Sequence, residues 1–199
     1  CDIGAGEGLF LNNILAYNKV REVFGIEPSS PNCELLKNNK IPFFNGTIEQ
    51  FVEDKNFYHK KFDIVTIMWT LENCSSCIDM LQAAYNILNE NGKILVATGS
   101  RILVPFKKPL FLYLDKFPPL DTHCFRFSFN SLNAALAKSK FQLINSNRYI
   151  DNDILCLIAE KKHTSDNIPF EKDKPSDVIN FFKRWHKETV YYSKFREKQ

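Results

Sequence analysis

Apolar positions along the chain change their period in a regular order. Leu9, Phe10, Ile14 and Leu15 recur at helical spacing over about Glu7 to Tyr17, and Val20, Val23, Phe24 and Ile26 then mark a strand from Lys19 to Glu27. Ser29 or Ser30 caps the next helix, which runs through Cys33, Leu35 and Leu36. A short strand covers Ile41 to Phe44, and Thr47 begins a small helix containing Phe51 and Val52. Strand four, Phe62 to Met68, is a nearly continuous apolar run, the pattern expected of a strand buried on both faces. Ile78, Leu81, Ala84, Tyr85 and Leu88 predict a helix from about Ser76 to Leu88. The turn Asn89-Glu90-Asn91-Gly92 then leads into strand five, Lys93 to Thr98. A helix over Ser131 to Lys138, strand six over Phe141 to Asn145 and strand seven over Ile154 to Glu160 follow. Repeated alternation of strand and helix predicts an α/β fold with a doubly wound, mostly parallel sheet.

Two stretches depart from the alternation. From Gly99 to Asn130 the period lapses, and the segment holds Phe106, Phe111, Tyr113, Phe117, Phe125, Phe127 and Phe129 beside four prolines. A long irregular stretch in a compact domain is usually functional. It reads either as a flap or homodimer contact with its own apolar cluster, or as the wall of an acceptor pocket. Beyond a polar linker from His163 to Lys174, a final helix from about Ser176 to Phe195 places Val178, Phe181, Phe182, Trp185 and Tyr192 on one side. The expected division is a domain over residues 1–161, with 99–130 as an insertion, followed by linker and amphipathic helix over 162–199.

Composition narrows the class. The chain has 199 residues, 25% of them charged and 44% hydrophobic, as in ordinary globular proteins. A net charge of +3, evenly spread, argues against a nucleic-acid partner. No apolar run reaches the roughly 18 residues of a membrane span. Six scattered cysteines offer a single Cys74-Ser75-Ser76-Cys77 pair, a poor zinc signal, so no metal is expected. Such cysteines fit a reducing cytoplasm. The chain opens on Cys1 inside a motif, and an apparently truncated N-terminus is the expectation.

The chemistry concentrates at Cys1-Asp2-Ile3-Gly4-Ala5-Gly6-Glu7-Gly8, a strand end running into a glycine-rich turn and a helix. Such turns deliver a nucleotide-type cofactor to free N–H groups and the positive end of a helix. Here the third glycine comes one residue too early for the dinucleotide fingerprint, and no Gly-Lys-Ser/Thr follows. Asp2 would repel a pyrophosphate but suits a ligand carrying an ammonium group. Glu27 ends strand two, where a carboxylate accepts hydrogen bonds from both ribose hydroxyls.

These residues resemble the class I S-adenosylmethionine-dependent methyltransferases. Asp2, Ile3, Gly4, Gly6 and Gly8 match the first motif of that family, and Glu27 in Gly25-Ile26-Glu27-Pro28-Ser29 matches the second. Phe62-Asp63-Ile64-Val65 and Leu71-Glu72-Asn73 resemble its fourth motif, with Asn73 in place of the usual His. The resemblance implies a seven-stranded sheet whose last strand is antiparallel and inserted between strands five and six. It implies cofactor contacts from Asp2, Ile3, Gly4, Ala5, Gly6, Gly8, Phe10, Glu27 and Pro28. Thr47, in the place of an acidic residue, and Ile48 would meet the adenine, and Met68 and Trp69 would flank the adenosine and the methyl donor. S-adenosylhomocysteine would be the product.

Two residues are candidates for the acceptor side. His123, in His123-Cys124-Phe125-Arg126-Phe127-Ser128, resembles a histidine of sugar and small-metabolite methyltransferases, and an imidazole accepts a proton near neutral pH. Its alternative is a histidine tying the loop to the next helix. Glu72 is either an acceptor-side carboxylate or a favourable charge at a helix start. The leading expectation is methyl transfer to a small-molecule acceptor, such as a sugar or nucleotide-linked sugar of a surface polysaccharide. A nucleotide-cofactor oxidoreductase and a non-catalytic scaffold of the same fold are the rivals.

Overall fold

The computed structural model describes residues 1–17, 20–100, 102–103, 123–147, 154–163 and 168–196, with side chains up to 188. Most of the aromatic-rich stretch therefore lies outside the described residues, including Phe106, Phe111, Tyr113 and Phe117. Seven strands form one sheet in the order β3-β2-β1-β4-β5-β7-β6. They are β1 (Asp2–Ile3), β2 (Gly25–Glu27), β3 (Phe43–Asn45), β4 (Phe62–Met68), β5 (Leu88–Thr98), β6 (Phe141–Ser146) and β7 (Leu155–Lys161). β1 to β5 pair in parallel, and β7 runs antiparallel to both β5 and β6. The expected insertion of the last strand is thus present.

The helices are α1 (Leu9–Leu15), α2 (Ser30–Asn38), α3 (Ile48–Glu53), α4 (Cys77–Ile87), α5 (Phe129–Lys138) and α6 (Pro175–Arg196). Their starts follow capping chemistry. Thr47 and Gln50 form a reciprocal capping box on α3, Ser128 and Ser131 form another on α5, and the Ser76 hydroxyl accepts from the Asp79 N–H on α4. Ser29 is the N-cap residue of α2, without a side-chain bond. Among the described residues, no helix is long and apolar enough to cross a membrane.

A large core lies against the central strands, built from Ile26, Phe51, Ile67, Leu81, Ile94 and Leu136 among others. A second cluster of Ala5, Leu11, Val23, Leu36 and Ile41 packs α1 and α2 together. Phe24, Phe44, Phe51, Phe57 and Phe62 meet at centroid distances of 5.3–6.4 Å, which places part of the high phenylalanine count at one end of the core.

Three expectations need correction. Strand two is only Gly25–Glu27, the residues that pair with β1 and β3. Strand four is not buried throughout. β1 covers Thr66 and Ile67 of β4, while Asp63 and Ile64 are exposed, Ile64 by 55%. A cavity of about 510 Å³ lies alongside, walled by Leu11, Ile14, Val23, Phe62, Ile64 and Thr66. Strand five also starts earlier than expected: Leu88 already pairs with Phe62, and the register then jumps to Ile64↔Lys93, so 89–92 form a bulge inside the strand.

Candidate functional site

The site is organised by the turn leaving β1. Gly4, Gly6 and Gly8 all have positive φ, at 75°, 54° and 81°, but the surroundings give each a different task. A Cβ on Gly4 would lie 2.2 Å from Thr70 Oγ1, and one on Gly8 would lie 2.6 Å from Leu36 Cδ2 and 2.7 Å from Ile41 Cδ1. Those two glycines let elements pack closely. A Cβ on Gly6 would meet nothing within 4 Å, so Gly6 alone faces open space.

The amides of this turn point inward. Gly4 N–H and Ala5 N–H donate to the Ile26 carbonyl at 2.8 and 3.2 Å, Gly8 N–H donates to Ala5 O at 3.0 Å, and Gly6 N–H donates to Glu27 Oε2 at 2.7 Å. Four amides of this stretch are thus engaged within the protein, one of them by the Glu27 carboxylate. Glu27 is 5% exposed; its other oxygen accepts from Ser29 N–H at 2.8 Å. Its carbonyl accepts from Gly46 N–H at 3.0 Å and Asn45 Nδ2 at 3.2 Å, which binds the three strand ends together.

Asp2 is 2% exposed and receives the Thr66 hydroxyl at 2.6 Å. Burial pushes its carboxyl up to about 7, against the lowering effect of the Thr66 bond. Thr66 is a site residue missed in the sequence, where its signal was a polar position inside the apolar run of strand four.

A cleft of about 260 Å³ opens beyond the strand ends. Ile3, Gly4, Pro28, Thr47 and Ile48 line it, joined by Ile26, Gly46, Glu49, Thr70, Asn73, Cys74, Ser75 and Met80. The first five were expected at the site from sequence; the rest were not, because they converge only once the loops after β3 and β4 meet. Thr47 also caps α3, and its hydroxyl accepts from Gln50 N–H at 3.3 Å. The other expected residues do not line this cleft: Asp2, Gly6, Glu27, Met68 and Trp69 stand outside its lining, Phe10 packs on the second apolar cluster, and Gly8 is buried against α2. Ala5 belongs to that cluster as well.

The other flank is formed by the turn after β4. Met68 ends the strand, and Trp69 is 47% exposed with φ 54°, a left-handed conformation that bulky residues rarely adopt. Trp69 N–H holds Ala97 O at 2.8 Å, and Asn73 Nδ2 returns to Trp69 O at 3.1 Å. A single 3₁₀ turn, Leu71–Asn73, follows. Glu72 in it is completely buried, and neither carboxylate oxygen has a hydrogen-bond partner.

Residues 123–127 form a strap that meets the backbone of the Glu72 turn. Phe125 N–H donates to Glu72 O at 3.1 Å, Ser100 Oγ to Phe125 O at 2.6 Å, Phe127 N–H to Ser100 O at 2.9 Å, and Ile102 N–H to Phe127 O at 2.8 Å. His123 stands exposed at the start of this strap. The strap ends in Ser128, the cap of α5, whose hydroxyl also meets the Asp173 carboxylate.

All six cysteines are free thiols. Burial pushes Cys74 up to about 12, which makes it a poor nucleophile. Among the described residues, no group of three or more His, Cys, Asp or Glu could hold a metal ion.

Comparison with known proteins agrees with this geometry. Residues 1–146 match the family model of a methyltransferase domain. A ubiquinone biosynthesis O-methyltransferase of Actinobacillus pleuropneumoniae serotype 5b is 27% identical over 133 residues, 62% of this chain and 56% of that protein. The chain thus spans little more than half the length of that curated relative. A SAM-dependent methyltransferase from Thermotoga maritima superposes with a TM-score of 0.60 at 18% identity, covering 81% of this chain and 80% of the other. Magnesium protoporphyrin IX methyltransferase from Synechocystis PCC 6803, solved with bound SAH, gives 0.58 at 14% identity, covering 81% and 73%. At these identities the solved structures speak for the fold.

Proposed function

We propose, from the premise that the chain belongs to the methyltransferase domain family, that it binds S-adenosylmethionine in the cleft lined by Gly4 and transfers its methyl group to a small-molecule acceptor. The observation that carries this reading is the pair of buried carboxylates, Asp2 and Glu27, on adjacent strands beside the glycine turn. A pyrophosphate would meet two carboxylates there. A ligand with a sulfonium, an ammonium and a ribose finds acceptors. This disfavours the oxidoreductase alternative.

The bound cofactor supplies an electrophilic methyl group on a cationic sulfur. The task left to this chain is alignment, an effect worth up to roughly 7–11 kcal/mol in favourable systems. Asp2 would accept from the ammonium, and Glu27 would take the ribose hydroxyls with its remaining lone pairs. Gly6 leaves room for the methionine end, and Thr47 and Ile48 would border the adenine. Met68 and Trp69 would flank the reacting sulfur. His123 is the proposed base, taking the acceptor proton, and Glu72 the proposed acceptor-side carboxylate. A sugar, free or nucleotide-linked, is the proposed acceptor, and the free thiols fit a cytoplasmic location.

The test is thermal unfolding with S-adenosylhomocysteine, beside Glu27→Ala. Ligand at a hundred times its Kd stabilises by about 2.7 kcal/mol, a rise of roughly 5–10 °C for a domain of this size. The rise should shrink in Glu27→Ala. No rise in the wild-type protein sinks the cofactor assignment. Binding without methyl transfer to any acceptor favours the scaffold reading.

A further inference from the structure

We infer that Glu49 reads the base of the cofactor: its carboxylate accepts a hydrogen bond from the exocyclic amino group, so that a base lacking that donor is rejected. This rests on the methyltransferase reading above and adds to it a specificity-determining residue.

The first support is what the cleft offers a ligand. Its walls include Ile3, Ile26, Ile48 and Met80, surfaces that suit the two flat faces of a heteroaromatic ring. Among the described lining residues, Glu49 is the one charged side chain, and it is half-buried. In a mostly apolar site the few polar groups fix orientation and decide specificity. An ionised carboxylate only accepts, so the ligand edge that meets it must carry a donor. The amino group of adenine is such a donor.

The second support is that Glu49 is unengaged. Among the described residues its carboxylate has no hydrogen bond and no ion pair. Other polar groups of the cleft are committed. Thr47 N–H donates to Gln50 Oε1 at 2.9 Å, and Thr47 Oγ1 accepts from Gln50 N–H at 3.3 Å, which closes the capping box of α3. Thr70 Oγ1 and Asn73 Nδ2 donate to the Met68 and Trp69 carbonyls, both at 3.1 Å. Thr47, standing where the resemblance implies an acidic residue, is thus a helix cap, and the acidic acceptor of this cleft stands two residues on.

Placement gives the third support. Ile48, next to Glu49, is 1% exposed and anchors the start of α3 in the main core. With the capping box, that makes a fixed base for the side chain, and recognition groups on fixed elements keep their geometry. The charge of Glu49 also reaches the wall formed after β4. Burial and Cys77 do most to raise the Cys74 thiol, and Glu49 adds to the effect, acting across the cleft that both residues line. A carboxylate in the first turn of a helix is favourable by itself, and the ligand comparison below separates that role from recognition.

The experiment is calorimetry on the whole chain, titrated with S-adenosylhomocysteine and with its analogue carrying hydrogen in place of the amino group of the base. The wild-type protein should bind the amino form at least about tenfold more tightly, the scale of one charge-assisted hydrogen bond. Glu49→Ala should bring the two within about twofold, by weakening S-adenosylhomocysteine while the analogue keeps its wild-type affinity. Glu49→Gln, whose amide oxygen still accepts, should fall between the two. Three results would overturn the inference: equal binding of both ligands by the wild-type protein, a preference that survives Glu49→Ala, or an equal loss for both ligands in that variant, as a purely structural role at the start of α3 predicts. Failure of the wild-type protein to bind either ligand would instead overturn the methyltransferase reading beneath it.

Discussion

Gly4→Ala and Gly6→Ala test the division of labour in the first turn, because the two residues share a backbone conformation but not an environment. Alanine at φ 75° or 54° pays for a left-handed conformation, about 1–2 kcal/mol in either case. At Gly6 that is the whole cost, since the new methyl meets nothing within 4 Å. At Gly4 the methyl would sit 2.2 Å from Thr70 Oγ1, 2.6 Å from Cγ2 and 2.9 Å from Cβ, and overpacking adds about 1–3 kcal/mol. Gly4→Ala should therefore lower stability by roughly 2–5 kcal/mol, about 5–15 °C in Tm, and Gly6→Ala by less than half of that. Thr70→Ala removes the two nearest atoms, so the Gly4→Ala/Thr70→Ala double variant should recover about 1–2 kcal/mol of the steric part and none of the backbone part. Calorimetry on the four proteins measures this. Equal losses at Gly4 and Gly6, or no recovery with Thr70→Ala, would refute the reasoning. Gly6→Ala should keep its fold yet bind S-adenosylhomocysteine at least about tenfold more weakly, since its methyl fills the open space.

The buried carboxyl of Asp2 makes stability fall as pH rises from about 4 to about 7. The folded chain retains a proton there that the unfolded chain releases, and Asp2→Asn should flatten that slope in a Tm-against-pH series. Thr66→Val should weaken S-adenosylhomocysteine binding severalfold, because it removes the 2.6 Å bond that orients Asp2; unchanged binding by calorimetry would show that Asp2 needs no orientation. Glu72→Gln should raise Tm by a few degrees, since it removes a buried charge without a partner; a lower Tm would mean that the carboxylate is satisfied in solution. With a small alkylating reagent at neutral pH, Cys124, which is exposed, should react well before Cys74, and mass mapping of the labelled peptides reads the order.

Local patterns in the chain carried most of the architecture. Strand four ends at the residues its apolar run marks, and Thr47 caps α3 as a hydroxyl before a helix should. The position of β7 followed from family resemblance, since no local periodicity encodes strand order. The missing parts are tertiary. Whether Val20 to Phe24 forms a strand depends on what lies beside it. Whether the Gly6 amide faces a ligand or the protein depends on Glu27, which is 21 residues away in sequence. The backbone of the Glu72 turn is joined to Phe125, more than fifty residues downstream.

The Glu27 carboxylate has a consequence for how two loops move. One oxygen holds Gly6 N–H at 2.7 Å and the other holds Ser29 N–H at 2.8 Å, so the turns leaving β1 and β2 are fastened through one side chain. Their amides should therefore exchange with solvent as one unit, and Glu27→Ala should release both together in a hydrogen-exchange measurement.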